Sequence, residues 1–330
     1  MLNPKTMPQY LHGRSTLPCR TWIAALLVAS LLPLVAAPQV PTAAQTPSAA
    51  QAPTAGEAYA RDIGQWRSER EGALKTADGW LTLVGLFWLQ EGANCAGTDT
   101  ACRVSLAAGS APPRIGDFVY TSGTITFKPA PGADVRINGK PAGVQVLNTQ
   151  PGRYDKVSIG TVTMFVIKRG QRVGVRVRDT NSQARRDFRG VQWFPIAQSY
   201  RVTARFVVYP KATSIMIANV LGDVDPWPSP GYAEFTLGGR QYRLHAVLDG
   251  PNARELFFVF RDLTTGKDTY PGGRFLYADM PSNGQVVLDF NKAHSPPCAF
   301  TPYATCPLPP KENALAVRIE AGELNPHASR

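Results

Sequence analysis

The 330-residue chain contains 44% hydrophobic and 18% charged residues, and its formal net charge is +11 at pH 7. This composition supplies ample material for a core, and it excludes disorder throughout, a collagen, a coiled coil and a protein with many membrane spans. The length corresponds to about two domains of ordinary size or one large all-β domain.

The N-terminal segment has the pattern of an export signal. Three basic residues and no acidic residue precede an apolar run over residues 21–37, which is shorter than the roughly 20 residues of a spanning helix. We therefore expect residues 1–37 to be a signal peptide and the mature protein to be periplasmic or secreted. Cleavage after Ala37, cleavage after Ala44 and retention as an uncleaved membrane anchor stay open.

A linker and a helix are predicted next. Residues 38–56 are rich in Pro, Ala, Gln and Thr and carry no charge, which is typical of a disordered linker. Residues 57–75 place Ile63, Trp66 and Leu74 on one helical face with charged residues between them, which predicts one amphipathic helix.

The rest of the chain has the pattern of β-strands. Short runs rich in Val, Ile, Thr and aromatic residues alternate with turn sequences such as Asn138-Gly139 and Asn283-Gly284. The predicted strands are 124–127, 135–137, 144–147, 156–159, 163–168, 172–178, 202–208, 214–218, 233–237, 241–246, 255–261, 274–277, 286–291 and 315–319. We expect a mainly β protein, an antiparallel β-sandwich or partly closed barrel with one N-terminal amphipathic helix.

Two β regions are assigned along the chain. Residues 57–200 hold the N-terminal helix and the first β-sheet region, and residues 201–330 hold the second, with a Pro-rich, Cys-containing loop. Near the middle of the second region, Asp262, Thr264 and Thr265 predict a hairpin turn.

Positive charge is concentrated in residues 168–205, where ten basic residues accompany two acidic ones. In the strand 172–178, alternation places the valines on one face and Arg172, Arg176 and Arg178 on the other. A solvated outer face explains this pattern, and a binding site for an anion explains it equally, because neighbouring like charges repel. Nucleic acid is not an expected partner, since no binding module is recognisable.

Four cysteines follow the predicted signal peptide. Cys95 and Cys102 flank a short polar turn, and we expect a disulfide between them. We assign Cys298 and Cys306 as a second disulfide pair, with a role as ligands or redox groups as the open alternative. Neither pair has the Cys-x-x-Cys spacing of a zinc site, and we predict no metal and no cofactor.

Four segments resemble domain-of-unknown-function family 1684, an uncharacterised family of bacteria and archaea. They are GWLTLVGLFWLQEG (79–92), RDTNSQARRDFRGVQWFP (178–195), FRDLTTGKDTYPGGRFL (260–276) and VVLDFNKAHSPPCAFTPYATCPLPPKENALAVRIEAGE (286–323). The resemblance runs from about residue 61 to residue 323, and the last segment is the most specific. It implies a β-rich fold with its functional surface in these segments, and it implies no particular activity.

The Pro-rich loop 289–313 is the candidate functional segment. It contains six prolines, which fix the backbone at low entropic cost. Asp289 and Asn291 share one face of the strand that enters the loop. We predict that the loop forms one wall of the principal pocket, that Cys298 and Cys306 lie near each other, and that four side chains face the pocket: Asp289, Asn291, Arg274 and Tyr270. A loop that only stabilises the fold stays open as an alternative.

Two functions are compatible with these residues. The favoured one is binding of an anionic or carbohydrate-like small molecule. The ligand would contact Asn291, Tyr270 and the arginine strip, which consists of Arg172, Arg176 and Arg178. The alternative is a hydrolase in which Asp289 is the general base or orients another group and Arg274 stabilises negative charge. We expect a membrane partner only through an uncleaved signal anchor.

Overall fold

The first element of the computed structural model, which describes residues 54–327, is the long helix α1, Ala55–Lys75. The predicted signal peptide, residues 1–37, and linker residues 38–53 lie outside the described residues. The helix begins at a capping box, because the Thr54 hydroxyl accepts from the Glu57 N–H and the Glu57 carboxylate accepts from the Thr54 N–H. It therefore starts two residues before the predicted position, inside the end of the predicted linker.

The N-terminal half contains eleven strands in two sheets. They are β1 Leu83–Trp88, β2 Gly92–Gly97, β3 Val104–Ser105, β4 Gly116–Thr121, β5 Thr124–Pro129, β6 Arg136–Ile137, β7 Lys140–Pro141, β8 Gln145–Val146, β9 Val157–Ile159, β10 Val162–Arg169 and β11 Arg172–Asp179. One sheet has the order β1-β11-β10-β9-β6-β7 and the other β3-β2-β4-β5-β8. The pairs are antiparallel except β2 with β3. Apolar side chains of both sheets form one shared core.

The C-terminal half contains six strands. They are β12 Arg201–Ala218, β13 Val224–Leu237, β14 Arg240–Ala246, β15 Glu255–Phe260, β16 Arg274–Asp279 and β17 Gln285–Asp289. A four-stranded antiparallel sheet, β14-β13-β12-β17, packs against the β15-β16 pair. Strand β15 is buried on both faces, since Phe258 enters the core between these sheets and Phe257 enters a second core on the other side. The short helix α2, Gln183–Asp187, lies between the two halves in sequence.

Helix α1 joins the halves. Although it precedes the first β region in sequence, its Arg70 pairs with the buried carboxylate of Glu323 at 3.5 Å and donates to the Ser295 carbonyl at 3.0 Å. Arg67 donates to the Phe194 carbonyl at 2.9 Å. The helix is therefore tied to the C-terminal half and to the segment that leads into it.

The predicted mainly β, antiparallel fold with one long N-terminal helix is confirmed, and the sheets are open. Predicted strands 202–208 and 214–218 are parts of the single strand β12. The predicted strand 315–319 does not form, because the Ile319 backbone bonds instead to the side chains of Asp262 and Arg274. Within residues 54–327, no helix is both long enough and apolar enough to cross a membrane.

Candidate functional site at the junction of the two halves

The arginine face of β11 is covered by other parts of the chain. Arg176 and Arg178 are 5% and 4% exposed. The indole of Trp80 lies 5.9 and 5.7 Å from their guanidinium carbons, a distance at which cation–π attraction operates. The loop around Thr305 approaches from the C-terminal half. A solvated outer face is therefore wrong for these two arginines.

Arg176 is a buried cation with few partners. Its Nη2 donates to the Thr305 hydroxyl at 3.1 Å, whereas its Nε donates to no acceptor among residues 54–327. Burial, and then the like charges of Arg169 and Arg178, lower the pKa of Arg176 to about 9. The guanidinium therefore keeps its charge at pH 7, and no carboxylate in the described chain pairs with it.

A single hydroxyl links two of these cations. Thr305 Oγ1 accepts from Arg169 Nε at 3.0 Å as well as from Arg176. Burial lowers the pKa of Arg169. Two guanidinium groups thus meet at one neutral acceptor, and the carboxylates that act on this pair, Asp225 and Asp223, lie near Arg169 rather than near Arg176. We call Arg169, Arg176 and Thr305 the arginine cluster.

The loop that carries Thr305 is fixed on both sides of the junction. The Thr301 hydroxyl donates to the Leu83 carbonyl of β1 at 2.8 Å. On the other side, the Cys306 carbonyl accepts from the Val220 N–H at 3.0 Å. Because the loop is held on both sides of Thr305, by the Thr301 hydroxyl and by the Cys306 carbonyl, the Thr305 hydroxyl has a fixed position.

The other two arginines of the predicted strip have ordinary partners. Arg172 pairs with Asp223 at 2.6 Å and is partly exposed. Arg178 donates to the Gly79 carbonyl and to the Thr82 hydroxyl. The strip is therefore not one uniform surface, and Arg176 is the member with unsatisfied hydrogen-bonding capacity.

Asp289 and Asn291 lie together, as the sequence predicted, although Asn291 belongs to a 3-10 helix after β17. The Asp289 carboxylate accepts from the Tyr59 hydroxyl at 2.9 Å and from the Asn291 N–H at 3.2 Å. Asn291 exchanges hydrogen bonds with the backbone of Ala197. This network attaches α1 to the end of β17.

Arg274 is separate from that network. Its side chain is fully buried, pairs with Asp262 at 3.2 Å and donates to the carbonyls of Ala321 and Ile319. It shares no hydrogen-bond partner with Asp289 within residues 54–327. The catalytic assignment of Asp289 and Arg274 stays a prediction, and these contacts give it no support.

The cysteines differ between the two halves. Cys95 and Cys102 form a disulfide, as expected, whereas Cys298 and Cys306 are free thiols. The assigned second disulfide is not formed in this structure. The Cys306 sulfur accepts the Cys298 N–H at 3.1 Å. Tyr270 lies beside this pair and donates to the Cys298 carbonyl at 3.1 Å.

An open groove of about 590 Å³ lies along β13 and β14. Its lining includes Glu234 and Arg243, which pair with each other, and Glu312 from the Pro-rich loop. Asp289, Asn291 and Arg274 do not line this groove. Across residues 54–327, no group of three His, Cys, Asp or Glu side chains is arranged to hold a metal ion.

Sequence reasoning missed Thr305 and the individual role of Arg169. The signal for Arg169 was its position across the β10–β11 turn, where it pairs in register with Arg172. Thr305 carried no local signal, since it contacts Arg176 across 129 positions of sequence.

Comparison with known proteins places the C-terminal half in a family. A family model described as "Protein of unknown function (DUF1684)" matches residues 186–324. The solution NMR structure of an uncharacterized protein of Haloarcula marismortui is 35% identical, over 42% of this chain and 78% of that chain, with a TM-score of 0.37. Residues 186–324 are therefore a DUF1684 segment. No curated protein matches it.

The matched DUF1684 segment supplies only part of the arginine cluster. Thr305 lies inside residues 186–324, whereas Arg169 and Arg176 precede them. The cluster therefore combines the DUF1684 segment with the N-terminal half.

Proposed function

We propose that the protein binds a small anion at the arginine cluster. The observation that carries the proposal is the Arg176 guanidinium, which is charged and buried with an unpartnered Nε and no described carboxylate beside it. Removing a charge from water without a counter-ion costs several kcal/mol. A bound anion would recover much of that cost through charge-assisted hydrogen bonds.

The surroundings favour an oxyanion such as a carboxylate, phosphate or sulfate group. Such groups match the planar fork of a guanidinium. Arg169, Trp80 and Tyr154 are partly exposed, so an anion can approach from their side.

Ligand-induced stabilisation tests the proposal. Thermal unfolding is followed in inorganic phosphate, in sulfate and in glucuronate, with chloride at the same ionic strength as reference and glucose as the neutral probe. At 100 times the dissociation constant, a ligand stabilises the native state by about 2.7 kcal/mol. We expect at least one of the three anions to raise the melting temperature by several degrees and glucose to have no effect.

Two variants show whether the effect belongs to the cluster. Arg176→Met should abolish the anion-dependent rise, whereas Arg114→Gln should keep it, because Arg114 is largely exposed and pairs with Asp117 on another sheet. An equal rise in wild type and Arg176→Met would overturn the proposal, and so would no rise with any of the three anions.

We also propose that the protein acts in the periplasm or outside the cell. The N-terminal pattern of basic start, apolar run and uncharged linker supports export. The Cys95–Cys102 disulfide supports an oxidising compartment. Cell fractionation with N-terminal sequencing should recover a product that begins between Pro38 and Gly56; an intact Met1 in the soluble cytosolic fraction would contradict export.

A further inference from the structure

Two free thiols lie against each other in the Pro-rich loop. The backbone N–H of Cys298 is 3.1 Å from the sulfur of Cys306, and the pair is eight residues apart in sequence. Neither thiol belongs to a disulfide. Six prolines restrict the loop, so the two residues are held together by the backbone.

The two thiols have unequal access to solvent. Cys306 is 3% exposed and belongs to the apolar core beside β15, whereas Cys298 is partly exposed at the edge of that core. A reagent from solvent therefore reaches Cys298 first. Such an arrangement of one accessible and one protected thiol suits sequential attack and resolution.

Neighbouring donors favour the thiolate at Cys298. The Cys306 thiol, and then the Tyr270 hydroxyl, lower the pKa of Cys298 against the opposing effect of burial. Burial raises the pKa of Cys306 well above its ordinary value. Burial also raises the pKa of Tyr270, so its hydroxyl remains a proton donor at neutral pH.

We propose that Cys298 and Cys306 are a thiol–disulfide exchange pair whose substrate is a disulfide of another thiol compound. The accessible thiol of Cys298 attacks, and the buried thiol of Cys306 resolves. The proposal does not require anion binding, although Cys306 follows Thr305 in the chain and the charge of Arg176 acts on its thiol.

The reaction balances in two displacements. The Cys298 thiolate attacks one sulfur of the external disulfide, whose S–S bond breaks and releases a thiolate that takes up the proton lost by Cys298. Cys306 then loses its proton and attacks the Cys298 sulfur of this mixed disulfide, whose S–S bond breaks and releases the second external thiolate, which takes up the proton lost by Cys306. The protein dithiol is thereby oxidised by two electrons to a Cys298–Cys306 disulfide, and the external disulfide is reduced to two thiols.

Oxidised glutathione is the probe for the test. The full-length chain carrying Cys19→Ser is purified with Cys298 and Cys306 reduced and mixed with excess oxidised glutathione. Samples are quenched with N-ethylmaleimide at successive times, and peptides are mapped by mass spectrometry. We expect a transient glutathione adduct on Cys298, followed by an internal disulfide with Cys306. The peptides of Cys95 and Cys102 provide an internal reference, since their disulfide is already formed.

Single substitutions separate attack from resolution. In the same chain, Cys306→Ser should accumulate the mixed disulfide on Cys298, whereas Cys298→Ser should react at least tenfold more slowly because Cys306 is buried. Tyr270→Phe should slow the modification of Cys298 by iodoacetamide at pH 7 severalfold and shift its pH profile upward. Circular dichroism of each variant confirms that the comparison concerns folded protein.

Three results would overturn the proposal. They are unreactive thiols in the folded wild type, a wild-type reaction that stops at the mixed disulfide, and equal rates for Cys298→Ser and Cys306→Ser. If the serine variants do not fold, the order of products on the wild-type chain alone decides. Failure here would leave the anion-dependent stabilisation intact, since Cys298→Ser retains Arg169, Arg176 and Thr305.

Discussion

Two buried arginines, one in the C-terminal core and one at the junction of the halves, have opposite surroundings. Arg274 pairs with Asp262 and donates to two backbone carbonyls. Arg176 has one neutral hydroxyl as acceptor and like charges nearby. The Nε of each guanidinium lacks an acceptor in the described chain, but Arg274 has a carboxylate counter-ion within the fold and Arg176 has none. The second charge therefore keeps capacity for an external anion.

The comparison separates two reasons for burying a positive charge. A charge with a buried carboxylate partner holds segments of chain together, and its removal leaves that carboxylate uncompensated. A charge without a counter-ion destabilises the unliganded protein and favours binding of an anion. Burial alone therefore does not show which role an arginine has. The presence or absence of a carboxylate counter-ion does.

The largest effect is expected in the C-terminal core. Arg274→Met should destabilise the protein by about 3–5 kcal/mol, because it leaves the buried Asp262 carboxylate without a counter-charge. Urea unfolding at pH 7 measures the loss. The control Arg318→Gln removes a partly exposed arginine paired with Asp268 and should cost less than about 1 kcal/mol. Equal costs for the two variants would contradict the structural role of Arg274.

A buried histidine shows a third way to accommodate a basic group. Desolvation, and then the charge of Arg70, lower the pKa of His294 from 6.5 to about 3, so the imidazole is neutral in the folded protein. Because the folded-state pKa is depressed, the stabilisation is complete above about pH 6.5 and is lost as the pH falls toward 3.

The histidine should therefore make the protein acid-sensitive. Its contribution to the free energy of unfolding should decrease by about 2 kcal/mol between pH 7 and pH 5. His294→Gln should remove that part of the pH dependence in urea unfolding, whereas His327→Gln, at an exposed position, should leave it unchanged. A His294→Gln variant with the wild-type pH dependence would show that the histidine is solvated.

The Asp289 network gives a smaller effect. Tyr59→Phe removes a hydroxyl that donates to Asp289 and accepts from Asn291, and it should cost about 1–2 kcal/mol in urea unfolding. Tyr303→Phe is the matched control, because the Tyr303 hydroxyl makes no hydrogen bond in the described chain. Neither change should alter the anion-induced rise in melting temperature. A selective loss of that rise in Tyr59→Phe would instead favour a ligand site at Asp289.

Local sequence patterns predicted where the strands lie, but they did not predict which distant segments cover them. Alternation in β11 correctly placed Val173, Val175 and Val177 in the N-terminal core. It also placed the arginines on the opposite face, but it could not show that Trp80 and the loop around Thr305 cover that face. Covering by distant segments depends on how the two halves pack, which strand periodicity does not encode.

The candidate site was also only partly predictable, because local patterns identify short-range contacts but not long-range ones. Short-range patterns correctly predicted that Asp289 lies beside Asn291 and that Cys95 pairs with Cys102. The partner of Arg274 was not predictable, since Asp262 looked like an ordinary turn residue and the segment around Ile319 had the pattern of a strand. Long-range pairing of buried polar groups overrode local propensity at these positions.

The smallest change in stability, and the one that tests the comparison most directly, is expected at Arg176. Without an added anion, Arg176→Met should change the free energy of unfolding by less than about 1 kcal/mol or increase it, because no carboxylate is left unpaired and Thr305 keeps its hydrogen bond to Arg169. The measurement is urea unfolding at pH 7 in chloride, beside Arg274→Met under the same conditions. The same measurement is then repeated in the anion that stabilises the wild type most. There, Arg176→Met should have a lower free energy of unfolding than the wild type. A loss in chloride as large as that of Arg274→Met would mean that Arg176 is already fully compensated by the fold, and the distinction between the two arginines would fail.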